Sequence, residues 1–231
     1  MKTSLSIILF LLGLIGNLNA QQLQQPLVDF PLSNKGYALL KSGDVVEGKI
    51  INYVSTRGIT RVSLEDQTGN TFKINAEDIY EFAIAMNGAV RFQFAMERGS
   101  SVKKLLSRDQ PTAKPKDFII YRNTSINGEK EFLLQLLNPD FDEVFEVFFD
   151  PLARKTTALQ SQHITWTGDK HRVYFISKNG SPLIKVKKGN YKKIFATLFG
   201  DCSSLLTDVK KPKLADLGNH ILWYQNKCSF D

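Results

Sequence analysis

Cysteine is almost missing from this chain of 231 residues: only Cys202 and Cys228 occur, and their spacing is not C-x-x-C. A dithiol redox motif is thereby excluded. Histidine is nearly as rare, with His163, His171 and His220 the three present. None has a second histidine or cysteine at a ligand spacing, so neither a metal nor a cofactor is expected. Long apolar runs are missing too. Beyond the first twenty residues, no stretch approaches the ~20 apolar residues that cross a bilayer. Nucleophile elbows, phosphate-binding loops and dinucleotide fingerprints are also absent.

What is present begins with a processing segment. Lys2 supplies a positive start, Ser6 to Ile15 is a short apolar core, and Leu18-Asn19-Ala20 offers a small residue before Gln21. Residues 1–20 therefore read as a signal peptide. No cysteine follows the apolar core to carry a lipid anchor. The mature chain is expected to be soluble and exported to an oxidising compartment, whether periplasmic, outer-surface or secreted. The formal charge is +7, a balance that can favour anionic partners. The lysines are read as spread through the chain, so solubility alone is the plainer account of it.

Residues 21–97 read as a small β-barrel-like domain. Tyr37 to Leu40 is a short strand, Val45 to Tyr53 alternates, Val62 with Leu64 and Phe72 with Ile74 mark two more, and Tyr80 to Ile84 is a fifth. Turns are placed by composition at Lys41 to Asp44 and Gln67 to Asn70. A single helical turn over Asn75 to Asp78 precedes the fifth strand, a pattern that suggests an SH3-like or related barrel. Asn87-Gly88 is a hairpin signal leading to an apolar strand over Ala89 to Glu97. Residues 98–116 hold six basic residues against Asp109, with Pro111 and Pro115 barring a continuous element. They read as a basic linker or loop.

Residues 117–188 read as an antiparallel sheet, with strands over Phe118 to Arg122, Glu129 to Leu137, Val144 to Phe149, His171 to Ile176 and Pro182 to Val186. Lys155 to Trp166 is a weaker, irregular strand. Asn127-Gly128 and Asn179-Gly180 are turn signals, and Asn138-Pro139-Asp140 a further reversal. Residues 189–231 read as a helical cap. Tyr191, Ile194, Phe195, Leu198 and Phe199 form one apolar stripe, with Asn190 as N-cap and Gly200 in the left-handed C-terminal position. Asp201 caps a second helix on which Cys202, Leu205, Leu206 and Val209 share a face. After a connector over Lys210 to Lys213, Leu214, Leu217, Ile221, Tyr224 and Cys228 recur at helical spacing. Both thiols point inward from neighbouring helices, which favours a Cys202–Cys228 disulfide over buried free thiols. The fold class is thus mainly β with a C-terminal helical cap: a small barrel plus an antiparallel sheet covered by two or three helices.

The series Phe199-Gly200-Asp201-Cys202, Leu217 and Tyr224-Gln225-Asn226-Lys227-Cys228 resembles the ending of many exported proteins of the Bacteroidota. Those proteins show a hairpin, a basic helix, a D-C step and a terminal Y-N-x-C, and Gln225 is interposed here. The resemblance covers about the last 60 residues. It implies an envelope or secreted location and carries no catalytic or binding residue.

Candidate chemistry is sparse. Lys185, Lys187, Lys188, Lys192 and Lys193 cluster where the last strand enters the helix, a candidate anion-binding group near exposed helix amides. Arginine, the bidentate phosphate reader, is absent from the cluster. Asp140, Asp142 and Glu143 lack the spacing of a calcium loop, and Glu143 with Glu146 could flank a glycosidic bond. The expected function is a non-catalytic envelope or secreted protein that binds another protein or an anionic surface polymer. A hydrolase of envelope glycans and a structural accessory subunit are the alternatives. Nucleic acid is disfavoured because no interleaved aromatics accompany the basic residues.

Overall fold

The computed structural model describes residues 23–24, 26–27, 30, 32, 35–86, 88, 117–128, 130–156, 160–161, 164–165 and 173–228. The expected signal peptide, the strand over 89–97, the basic linker, His163, Trp166 and His171 lie outside them. The expectation of a mainly β chain with helices at its C-terminus holds.

Five strands alternate as the sequence pattern demands: β1 (Lys35–Leu40), β2 (Val45–Ser55), β3 (Ile59–Glu65), β4 (Thr71–Asn75) and β5 (Ile79–Ala85). A 3₁₀ turn over Ala76–Asp78 precedes β5. β1 lies between β2 and β5, and β2 pairs with β3. Alternate residues point inward, so Ala38, Ile50, Val62, Leu64, Phe82 and Ile84 form the barrel core. At one corner Gly36 faces Gly48 across β1 and β2. A Cβ on Gly36 would stand 2.7 Å from the carbonyl oxygen of Ala83, and one on Gly48 would collide with that of Glu65. The strands cross there too closely for a side chain. Upstream, the Leu27 N–H donates to Gln135 Oε1 at 2.6 Å, and Phe30 lies 4.2 Å from the Tyr53 ring. The proline-punctuated lead-in is thereby tied to the barrel.

The sheet expected over 117–188 is divided. Its first two strands, β6 (Phe118–Ser125) and β7 (Glu131–Gln135), extend from β5, and Ile59 meets Leu133 to close a six-stranded ring, with β4 flanking β3. The reason is the edge of β5, which five strands alone would leave unpaired. β8 (Phe145–Phe149), β11 (Val173–Lys178) and β12 (Ile184–Lys187) make a separate three-stranded sheet, ordered β12-β11-β8. Between β8 and β11 in sequence, β9 (Gln160–Ser161) and β10 (Ile164–Thr165) pair with each other. Asn127 and Gly128, like Asn179 and Gly180, have positive φ, as a turn of reversed hand requires.

This sheet is covered on both sides, which explains the near-continuous apolar runs of its strands. Phe148 and Phe175 pack on Phe132, Leu134 and Leu136 of the barrel wall. Val147, Phe149, Tyr174, Ile176 and Val186 face the helices. The reversal between β7 and β8 is held by Asn138, which is fully buried. Its amide donates to the Phe141 and Phe145 carbonyls at 2.8 and 2.6 Å and accepts from Val147 N–H at 2.8 Å.

Three helices complete the cap: α1 (Tyr191–Phe199), α2 (Ser203–Asp208) and α3 (Leu217–Cys228), the last preceded by a 3₁₀ turn over Leu214–Asp216. Tyr191, Phe195, Leu198 and Phe199 are buried against the sheet as the stripe predicts. Two end assignments change. Asn190 makes no side-chain bond to the helix; its amide bonds back to Lys187 N–H and the Lys185 carbonyl, closing the turn after β12. Gly200 is right-handed at φ −65°, and a Cβ there would collide with the Ala196 carbonyl. Glycine is needed for space rather than for handedness.

Candidate functional site

Three polar clusters stand out, and each is built from residues distant in sequence. At the junction between barrel and sheet, Arg122 of β6 reaches three carboxylates. Its Nη1 donates to Asp142 at 2.7 Å and Glu146 at 2.9 Å, and its Nη2 to Glu81 at 2.9 Å. The guanidinium also lies over the Tyr80 ring at 5.4 Å, and Tyr37 Oη donates to the other oxygen of Glu81 at 3.0 Å. Burial opposes the charge on Arg122, but the three carboxylates outweigh it and raise its pKa. Burial, reinforced by Glu81, pushes Tyr37 up to about 12. Asp142 of the acidic turn and Glu146, which with Glu143 could flank a glycosidic bond, are thus bound to one cation. Glu143 itself is exposed in the turn. Such a clamp joins barrel to sheet.

The second cluster gathers Asp201, Cys202, Tyr224 and Cys228. Cys202 and Cys228 form a disulfide with a Cα–Cα distance of 5.6 Å. Asp201 does not cap α2; the residue at that position is Cys202, which precedes the helix rather than lying on its face. The Asp201 Oδ2 accepts from Tyr224 Oη at 2.7 Å and from Lys178 Nζ at 2.6 Å. Lys178 also donates to the Leu198 carbonyl at 3.1 Å, satisfying the end of α1. Its ammonium lies 4.5 Å from the Tyr224 ring centroid. These residues are a structural clasp.

In the third, Tyr191 Oη bonds His220 Nδ1 at 2.7 Å among Phe195 and Phe199. Burial lowers the His220 pKa, opposed by the nearby Asp216 charge. The Tyr191 hydroxyl and the imidazole thus share one buried hydrogen bond. Buried and flanked by aromatic rings, this histidine packs the cap.

The five lysines separate. Lys185 pairs with the buried Asp150 at 2.9 Å and lies 5.5 Å from the Phe175 ring. Lys187 shares its face of β12, the side away from the helices, because Val186 between them points to the cap core. Lys188, Lys192 and Lys193 stand exposed around the start of α1 and make no ion pair among the described residues. Charge is also less evenly spread than expected. Residues 173–228 hold ten lysines against three aspartates, a net of +7 equal to that of the entire chain.

Signals for these groupings existed in the sequence. Glu81, Arg122 and Glu146 are single charges in otherwise apolar strand segments, and an isolated charge on a covered strand needs a partner. From Lys170 to Gly200 there is no acidic residue, which marks a concentrated positive charge. Among the described residues no group of histidine, cysteine and acidic side chains is placed to hold a metal, and no helix is long and apolar enough to cross a membrane. No protein-family model matches the chain, nor does any curated protein or solved structure.

Proposed function

We propose that this is an exported, non-catalytic protein that binds an anionic surface polymer through the lysines around the start of α1. One contrast supports the reading. Of the acids weighed for glycan hydrolysis, Asp142 and Glu146 are held by Arg122, and Glu143 is exposed in the turn. Lys188, Lys192 and Lys193 are exposed without an acidic partner among the described residues. An ion-paired carboxylate is a poor proton donor, whereas an unpaired ammonium is free to exchange its counterion for a polyanion. The disulfide suits an oxidising compartment.

The test is binding of the oxidised protein to heparin, as a generic polyanion, across a salt series. Affinity should fall steeply with salt and drop in K188Q/K192Q/K193Q. Salt-independent binding, or an unaffected triple variant, would overturn the proposal. Loss of a glycan-cleaving activity in D142N or E143Q would establish the hydrolase instead.

A further inference from the structure

Two lysine groups separated in sequence converge at one end of the helical cap. The cue is the sense in which α1 and α3 run. Near its start α3 meets the first residue of α1, through Tyr191 and His220 at 2.7 Å. Near its end α3 meets the residues just beyond α1, through Tyr224 with Asp201 and Cys228 with Cys202. The two helices therefore advance in the same direction, and their starts lie together. α2 and the connector carry the chain back from the end of α1 to the start of α3.

That return brings Lys210, Lys211 and Lys213, all exposed, to the end where Lys188, Lys192 and Lys193 project. The positive ends of both helix dipoles point the same way and reinforce the field there. Asp216 and Asp208 are the acids on the returning chain. Asp216 sits close enough to act on both Tyr191 and His220. Six ammonium groups against two carboxylates leave the end strongly positive.

We propose that this end of the cap is a two-part seat for an acidic polysaccharide. The inference rests on the anion-binding function and goes beyond it, naming the polymer class and adding the second lysine group. The choice of polymer follows from what surrounds the charge. Among the described residues the exposed large apolar side chains are Leu32, Val45, Val54, Phe72, Tyr80 and Phe118, all outside the cap. No aromatic side chain of the described cap is fully exposed, and its half-buried Trp223 is a single ring rather than the series of faces on which successive nucleobases would stack. Nor does the described cap offer an apolar anchor to enter a bilayer. All its cations are lysines, point charges that suit dispersed carboxylate or sulfate groups better than bidentate phosphate recognition.

The experiment titrates the oxidised full-length mature protein with heparin, polyuronate, poly-dT and phosphatidylserine vesicles at low and high salt. Wild type, K188Q/K192Q/K193Q and K210Q/K211Q/K213Q are compared, with thermal melts to confirm that each variant folds. Both polysaccharides should bind most tightly. Each triple variant should weaken them roughly tenfold and show a shallower salt dependence, as fewer counterions are released. If only the first variant weakens binding, the two-part seat is wrong while the anion-binding function stands. Tighter binding of poly-dT or vesicles overturns the polysaccharide assignment alone. If no polyanion binds, both proposals fall.

Discussion

Removing the Cys202–Cys228 bond tests the architecture of the cap most directly. The bridged residues are 26 apart in sequence. In the chain-entropy model, closing a loop of that length restricts the unfolded chain by about 3.5 kcal/mol at 25 °C. The native cap should survive the loss. Leu217, Ile221 and Tyr224 remain in its core, and the Asp201–Tyr224 and Tyr191–His220 bonds still hold both ends of α3. C202A/C228A should therefore fold. Its urea midpoint should fall by roughly 1–2 M, given an m-value of about 2–3 kcal/mol/M for a domain of this size. Trp223, half-buried against the cap, reports on α3 by fluorescence, while far-UV circular dichroism reports on the strands as well. Coincident transitions shifted by that amount would support an unfolded-state effect. A loss below about 1 kcal/mol would refute the chain-entropy account. Separate melting of the Trp223 signal would show instead that the bond holds α3 locally.

Three further perturbations bear on the polar groups. Burial holds the folded pKa of His220 below that of the unfolded chain, so the unfolded state takes up the proton first. Its contribution is full above the unfolded pKa, about 6.5, and is lost as pH falls below it. Urea midpoints at about pH 8 and about pH 5 should differ less in H220Q than in wild type; an equal difference would dismiss the histidine as the source. R122M should destabilise by roughly 3 kcal/mol, because Glu81, Asp142 and Glu146 would be left without their cation. Neutralising the acids as well, in R122M/E81Q/D142N/E146Q, should recover much of that loss, and a failure to do so would argue that Arg122 acts by packing. N138L should cost about 2–4 kcal/mol by stranding the Val147 N–H and two carbonyls inside the protein. A urea midpoint within error of wild type would mean that water replaces the amide.

How much of this was legible can be judged from particular residues. The stripe Tyr191, Phe195, Leu198 and Phe199 sets a helix and its buried face by local spacing, and the structure agrees. The five strands through Ala85 and the 3₁₀ turn before the last were equally readable. Their alternation and turn chemistry act within a few residues. Gly200 and Asn190 were misjudged in detail, since their residue types admit more than one end geometry. The recruitment of β6 and β7 into the barrel was not readable, because strand pairing is set by which edges remain open across the whole chain.

The candidate site divides the same way. Sequence alone determined that the chain is mainly β with a helical end, that its two cysteines fall in the helical cap, and that lysines gather near Tyr191. These properties depend on neighbours three or four positions away. Only the tertiary structure decided which charges are free. It gave Lys185 to Asp150, Lys178 to Asp201, and Asp142 and Glu146 to Arg122, and it set the start of α3 beside the start of α1. A charge is neutralised by what lies within a few ångströms of it, and contacts between residues far apart in the chain exist only once the fold has formed.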